Sequence, residues 1–276
     1  MTSPKHLDRL INVAGALVVL FVLGYVAFEA LHTEVEQPCS ARYPAATRLS
    51  LQTSEGKPLS AIQLQARAGL RDIGVIDNAS VVEVQNGPSP DALEVKLRKL
   101  PAGADPSEKA RNGIEFRWAP PGMAKATSAC LSYSVWLPDG FEFGGGGFLP
   151  GVFGGSRDTG TMADGLSVSP QWDGEGRPVL TAIGSGGVHR MLGTAEPLPM
   201  NRWVKVEQEI VLNDPGAENG RARLWIDGTP TIDDSRVPLR NDTDVLLSGV
   251  LVAIGYHQMP AQPGVLRLSP FQISWR

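Results

Sequence analysis

Short runs of alternating apolar and polar residues, separated by Gly, Pro, Asn and Asp, fill the chain from residue 48 to residue 276. This pattern is typical of half-buried β-strands joined by tight turns. It predicts strands at residues 80–84, 93–99, 113–118, 129–136, 165–171, 178–183, 203–212, 221–226, 245–254 and 265–275. No long amphipathic helix is predicted in this region. We therefore expect residues 48–276 to form one all-β sandwich or barrel.

The predicted strand at residues 203–212 has a charged face and a mostly apolar face. The charged face consists of Lys205, Glu207 and Glu209. Because side chains alternate along a strand, we expect this face to lie in solvent and the other face in the core. After the next strand, Asp227 and Gly228 predict a type I′ hairpin turn, in which both central residues have positive φ.

Residues 141–155, with the sequence FEFGGGGFLPGVFGG, combine glycine with large apolar residues. A flexible linker would carry serine or charged residues instead. Glycine among apolar residues is typical of ordered backbone that packs closely against a neighbour. The stretch predicts a strand, a turn and a second strand near the centre of the β-fold.

Residues 10–31 form a long apolar segment, with no charge between Ile11 and Phe28. About 18 apolar residues are enough to span a bilayer, so the segment predicts a transmembrane helix. The alternative is a cleaved signal peptide, although the run exceeds the usual apolar length of about 7–15 residues.

Lys5 and Arg9 precede the segment and acidic residues follow it. The positive-inside rule then places residues 1–9 in the cytoplasm and the rest of the chain in the periplasm or outside the cell. Residues 32–47 are polar and are predicted to be a stalk between the membrane and the domain at residues 48–276.

Composition narrows the range of functions. A formal net charge of -4 gives no electrostatic signature of nucleic-acid binding. Motifs of nucleotide-binding loops, serine hydrolases and zinc sites are missing from the sequence, so we expect no metal and no cofactor. Cys39 and Cys130 are either one disulfide or two unrelated thiols.

Three stretches resemble the signatures of polysaccharide lyase family 14. GGGGFLPGVFGG at 144–155 is similar to its G-G-K-L-P-G-L-x-G-G motif, and LSVSPQW at 166–172 to its F-S-x-R-x-x-W strand. Residues 202–228 resemble the segment W-x-x-x-x-Q-x-V-x-L-N-x-P-G followed by N-G and W-x-D-G. The resemblance implies a concanavalin-A-like β-jelly-roll sandwich with a concave groove. It also implies β-elimination on uronate polysaccharides, such as alginate or glucuronan.

In the family a lysine, an arginine and tyrosines perform the elimination. The resemblance aligns Phe148 with the lysine and Ser169 with the arginine, and the strand after 166–172 has no tyrosine. Period-2 alternation puts Ser167, Ser169 and Gln171 on one strand face. With Phe148 and Arg157, these residues are the predicted substrate-binding set, and plain polar surface is the alternative for the strand face.

Four further residues are candidates for catalysis. His189 and Arg190 are predicted to lie in a loop at the groove edge, as a base and a carboxylate clamp. Tyr256 and His257 end a predicted strand and are candidates for an acid and a base from the opposite wall.

The combined prediction is a single-pass, extracytoplasmic protein that binds an envelope or extracellular polysaccharide, with cleavage left open. One alternative is an active lyase or hydrolase that acts on a different substrate. A hydrolase needs two carboxylates facing across the groove, and Glu207 and Glu209 are two acidic residues at i, i+2 on one predicted strand, although that face is expected to lie in solvent. Another is a non-catalytic module of an envelope complex whose groove holds a protein segment. An apolar groove floor would favour that module.

Overall fold

The computed structural model describes residues 15–25, 37–44, 46–68, 72–99, 112–155 and 165–276. The chain divides into two compact units, Met1–Gln37 and Pro38–Arg276. In the first unit, residues 15–25 form helix α1, and the rest of the predicted segment 10–31 lies outside the described residues. Among the described residues, no helix has the length and apolar character needed to cross a membrane.

The second unit is a sandwich of two antiparallel sheets. We call the larger one the back sheet, with the order β13-β12-β11-β5-β15-β3-β2 and with β1 and β16 attached. We call the other one the front sheet, with the order β10-β9-β8-β6-β14-β4 and with β7 between β14 and β8. The strands are β1 (Thr47–Arg48), β2 (Ala79–Glu83), β3 (Asp91–Lys96), β4 (Ile114–Trp118), β5 (Ser128–Trp136), β6 (Gly147–Phe148), β7 (Gly151–Gly155), β8 (Gly165–Trp172), β9 (Pro178–Gly184), β10 (Gly187–Leu192), β11 (Trp203–Val211), β12 (Gly220–Ile226), β13 (Thr229–Val237), β14 (Leu247–Tyr256), β15 (Val265–Leu268) and β16 (Gln272–Trp275).

Few helices accompany the sheets. The described ones in this unit are α2 (Ala61–Ala68) and α3 (Val75–Asn78), with 3-10 turns at Cys39–Ala41 and Met123–Lys125. The prediction of an all-β sandwich is therefore confirmed. Its core lies between the sheets and includes the fully buried rings of Trp172, Phe116 and Phe271.

Two local predictions differ from the structure. Residues around His189 and Arg190 form strand β10 instead of a loop, because Ser185 and Gly186 close a tight hairpin with β9. The predicted strand 265–275 is two strands, which separate at Ser269 and Pro270, where proline has no N–H to donate. The Asp227–Gly228 turn is confirmed, with φ of 50° and 78°.

The expectation that Glu207 and Glu209 lie in solvent is wrong. They do lie on the strand face opposite the mostly apolar residues, but Glu207 and Glu209 are only 1% and 4% exposed. The 3-10 turn at Cys39–Ala41 and the adjacent Arg42 pack over them, and a disulfide joins Cys39 to Cys130 on β5. The alternative of two unrelated thiols is thereby excluded. Part of the predicted stalk is thus a covering segment of the domain, which we call the N-terminal arm (residues 38–44).

Ion pairs make this covering possible. The Glu209 carboxylate lies 2.9 Å from the Arg42 guanidinium and 3.0 Å from that of Arg223. Glu207 accepts a hydrogen bond from the Ser40 N–H and lies 2.9 Å from the Lys205 ammonium. Buried carboxylates are stable only with such partners. Cys39, Cys130 and Glu207 lie close together, but the disulfide leaves no thiolate there to bind a metal.

Candidate functional site

The front sheet carries a groove with a volume of about 710 Å³. Its described lining comes from strands β4, β6, β7, β8, β9 and β14 and from the residues that follow β14. We call five of these lining residues the groove floor. They are Phe148, Ser167, Ser169, Gln171 and Thr181.

Strand β8 supplies the polar part of the floor. Ser167, Ser169 and Gln171 project into the groove, while Val168 and Trp172 are fully buried on the core side. Thr181 on β9 is directly opposite Ser169 and extends the row. Through Ser167, Ser169 and Gln171, the floor therefore offers hydroxyl and amide groups, which donate and accept hydrogen bonds without carrying charge. The Thr181 Oγ1 atom is itself buried.

Glycines bring β6 and β7 against β8. A Cβ at Gly147 would overlap the Trp172 ring, and a Cβ at Gly151 would overlap the Val168 carbonyl and Ser169. These close contacts explain the glycine-rich apolar sequence, because a strand with side chains at these positions could not pair here. They also place Phe148 directly opposite Gln171.

An aromatic, an imidazole and an amide meet at one side of the floor. The Phe148 and His257 ring centroids are 4.0 Å apart, and His257 Nε2 lies 3.1 Å from Gln171 Oε1. Burial, and secondarily the nearby Arg190 charge, lower the pKa of His257. The imidazole is therefore neutral at pH 7, where one ring nitrogen keeps a lone pair.

Tyr256 lines the groove, but its hydroxyl is already engaged. The ring is 4% exposed, and the hydroxyl donates to the Glu142 carbonyl oxygen at 2.9 Å. Burial raises the pKa of Tyr256 to about 12. A phenol held in this way is a structural contact of the groove wall.

The two β10 candidates point to opposite faces. Arg190 pairs with Thr181 across the sheet and therefore shares the groove face. His189 points the other way, with Nε2 2.9 Å from an Asp234 carboxylate oxygen on β13. The structure thus brings together Arg190, His257 and the floor, and separates His189 from them. Arg157 lies outside the described residues.

Sequence reasoning did not single out Glu115, Arg117, Phe153 and Thr181. Glu115 and Arg117 line the groove from β4, and the Arg117 guanidinium carbon lies 5.3 Å from the Phe153 ring centroid. The alternation of residues 114–118 places both on one strand face, but nothing in the sequence shows that β4 borders the groove. Among the described lining residues, Glu115 is the one carboxylate and Arg117 the one arginine or lysine. These residues do not supply the facing carboxylates that a hydrolase needs.

Comparison with known proteins gives a family and a fold. The family model for polysaccharide lyase 14 matches residues 87–172 and 197–256. No curated protein matches the chain.

Three similar solved structures are all lyases. A marine PL-14 alginate lyase from Aplysia kurodai has a TM-score of 0.67 at 19% identity, over 84% of this chain and 100% of its own. An alginate lyase mutant with a bound alginate trisaccharide has a TM-score of 0.60 at 17% identity, over 85% of this chain and 99% of its own. An endo-β-1,4-glucuronan lyase from the fungus Trichoderma reesei has a TM-score of 0.53 at 11% identity, over 72% of this chain and 87% of its own. At these identities the likeness shows the shared fold.

Proposed function

Because the chain belongs to the polysaccharide lyase 14 family, we propose that it binds a uronate-containing polysaccharide in the groove of the front sheet. The observation that carries this proposal is the uncharged polar floor beside the Phe148–His257 pair. Hydroxyl and amide groups pair with sugar hydroxyls, and an aromatic ring packs against the apolar face of a sugar. A structurally similar alginate lyase was solved with a bound alginate trisaccharide, which supports an oligosaccharide as the occupant.

We further propose that binding dominates over cleavage. Elimination needs a donor or cation that stabilises charge developing on the uronate carboxylate, together with a base and an acid. The floor has Phe148 and Ser169 at the positions that the family resemblance assigns to a lysine and an arginine. His257 is available as a neutral base, but the floor residues themselves carry no cation. The Arg190 charge that acts on His257 comes from β10, at the edge of the sheet.

A binding assay with one groove variant tests this proposal. The full-length chain in detergent is titrated with alginate and with oligoglucuronate by calorimetry, while ultraviolet absorbance follows any unsaturated product. We expect binding without measurable product. We expect Phe148→Ala to weaken the binding by about tenfold, because one lost contact of about 1.4 kcal/mol has that effect.

Ile62→Ala is the matched control, since Ile62 is an apolar residue that is 72% exposed on α2 and does not line the groove. It should leave the affinity unchanged. Rapid formation of unsaturated product by the wild type would overturn the binding-only proposal. An equal loss of affinity in both variants would place the polysaccharide elsewhere.

We propose that residues 10–31 anchor the protein in a membrane, with the β-domain in the periplasm or outside the cell. The support is the apolar sequence of this segment and the charges of Lys5 and Arg9 before it. A disulfide between Cys39 and Cys130 fits an oxidising compartment. The full-length protein should stay in the membrane pellet after alkaline carbonate washing, whereas a variant with Val18→Arg and Phe21→Arg should be released. Release of the wild type in the same wash would contradict anchoring.

A further inference from the structure

Two described arginines on the groove face of the front sheet lie at opposite edges of that sheet. Arg117 lies on β4 and Arg190 on β10, the two outermost strands of the front sheet. The strand pairings place both on one row across the sheet. From β10 to β4, that row consists of Arg190, Thr181, Ser169, Gly151, Leu251 and Arg117.

The row has a measurable length. Five steps between neighbouring strands separate its ends, and each step is about 4.8 Å, so the backbones of the two arginines are about 24 Å apart along the sheet. That distance exceeds one sugar ring several times over. The two strands that carry the arginines therefore stand several sugar rings apart across the groove.

Both guanidinium groups are available to a ligand. Arg117 is exposed and packs over the Phe153 ring, which fixes its position at the wall. Arg190 is exposed and stands between Val188 and Leu192, each 72% exposed on the same strand face. No described carboxylate forms an ion pair with either arginine. An arginine held in this way is suited to binding a carboxylate with two parallel hydrogen bonds.

The positions between the arginines disfavour charge. The row crosses Thr181, Ser169, Gly151 and Leu251, and the remaining floor residues are uncharged. His257 lies beside the floor, and its lowered pKa keeps the imidazole neutral. Glu115 lines the groove two residues from Arg117 on the same strand face and would repel a second carboxylate there. A polymer with a carboxylate on every sugar would place unpaired charges along this stretch.

We propose that the groove selects an acidic heteropolysaccharide in which single uronates are separated by several neutral sugars, with Arg117 and Arg190 each binding one carboxylate. The neutral sugars then lie over the floor, where they meet hydroxyl, amide and aromatic groups. This inference rests on the proposed function and adds the charge spacing of the ligand to it.

Oligosaccharides of equal length but different charge spacing test the inference. The first probe comes from deacylated gellan, a linear chain whose repeat holds a single glucuronate among neutral sugars. The second is oligoglucuronate, and the third is an uncharged cello-oligosaccharide. We expect the full-length chain in detergent to bind the gellan probe at least tenfold more tightly than either of the others.

Charge-removing variants then locate the carboxylates. Arg117→Gln and Arg190→Gln should each weaken the gellan complex by about tenfold and flatten its salt dependence, and they should leave cello-oligosaccharide binding unchanged. Arg48→Gln is the control, because Arg48 is an exposed arginine on β1 of the back sheet. It should change neither affinity nor salt dependence.

The outcomes separate the inference from the proposed function. Tighter binding of oligoglucuronate would keep the proposed function and overturn the spacing. If neither Arg117→Gln nor Arg190→Gln weakened gellan binding, the proposal that each arginine binds one carboxylate would be overturned. Failure of every acidic probe to bind would overturn the proposed function and this inference with it.

Discussion

Replacing Glu209 with alanine is expected to destabilise the β-domain by about 3 kcal/mol. The substitution leaves the buried Arg223 guanidinium without the carboxylate that lies 3.0 Å away, and breaking one partner of a buried pair costs about 3–5 kcal/mol. We expect the low end of that range, because Asp233 still lies 3.4 Å from Arg223 Nε. Urea unfolding of the wild type and the variant, followed by tryptophan fluorescence, measures the difference.

The matched control is an exposed pair of the same chemistry. Glu55 lies 3.0 Å from Lys57, and both side chains are more than 70% exposed. Water screens such a pair, so Glu55→Ala should leave the urea midpoint unchanged. Equal midpoints for Glu209→Ala and the wild type would show that the N-terminal arm does not cover this face in solution.

Removing the disulfide is expected to cost about 2–4 kcal/mol. The bond joins residues 91 positions apart, and a crosslink that closes a long loop restricts the unfolded chain strongly. In a domain of this size, the double variant Cys39→Ala/Cys130→Ala should melt roughly 5–15 °C below the wild type. Glu207 and Glu209 also lose part of their covering when the N-terminal arm is released, which adds to the destabilisation. Scanning calorimetry measures the shift in melting temperature.

A reductant provides the complementary experiment. The wild type in excess dithiothreitol should approach the melting temperature of the double variant, while the double variant should not respond to the reductant. A wild type that melts at the same temperature with and without reductant would contradict a stabilising crosslink.

Alternation along single strands was enough to predict the sandwich and one face of the groove floor. Ser167, Ser169 and Gln171 lie on the predicted shared face, because period-2 geometry depends only on local backbone. The Asp227–Gly228 turn was predictable for the same reason. The family resemblance added the groove, which local patterns alone do not contain.

The errors and omissions arose where distant parts of the chain meet. Glu209 looked exposed because nothing near it in sequence shows that Arg42 and Cys39 pack on it from 167 and 170 positions away. Arg117 was missed because its importance depends on strand order, which brings β4 to the edge of the groove. His189 and Arg190 were treated as neighbours, although adjacent residues of a strand face opposite ways.

The close contacts of Gly147 and Gly151 bear on how this family should be recognised in genomes. Both residues lack room for a Cβ because of strand packing, a requirement that is the same for an enzyme and for a binding protein. A glycine motif of this kind therefore indicates the fold of a homologous sequence and gives no information about whether that protein cleaves its polysaccharide. Under our proposal, the residue enclosed by the glycines, which is Phe148 here, is the position to compare between homologous sequences when cleavage is in question.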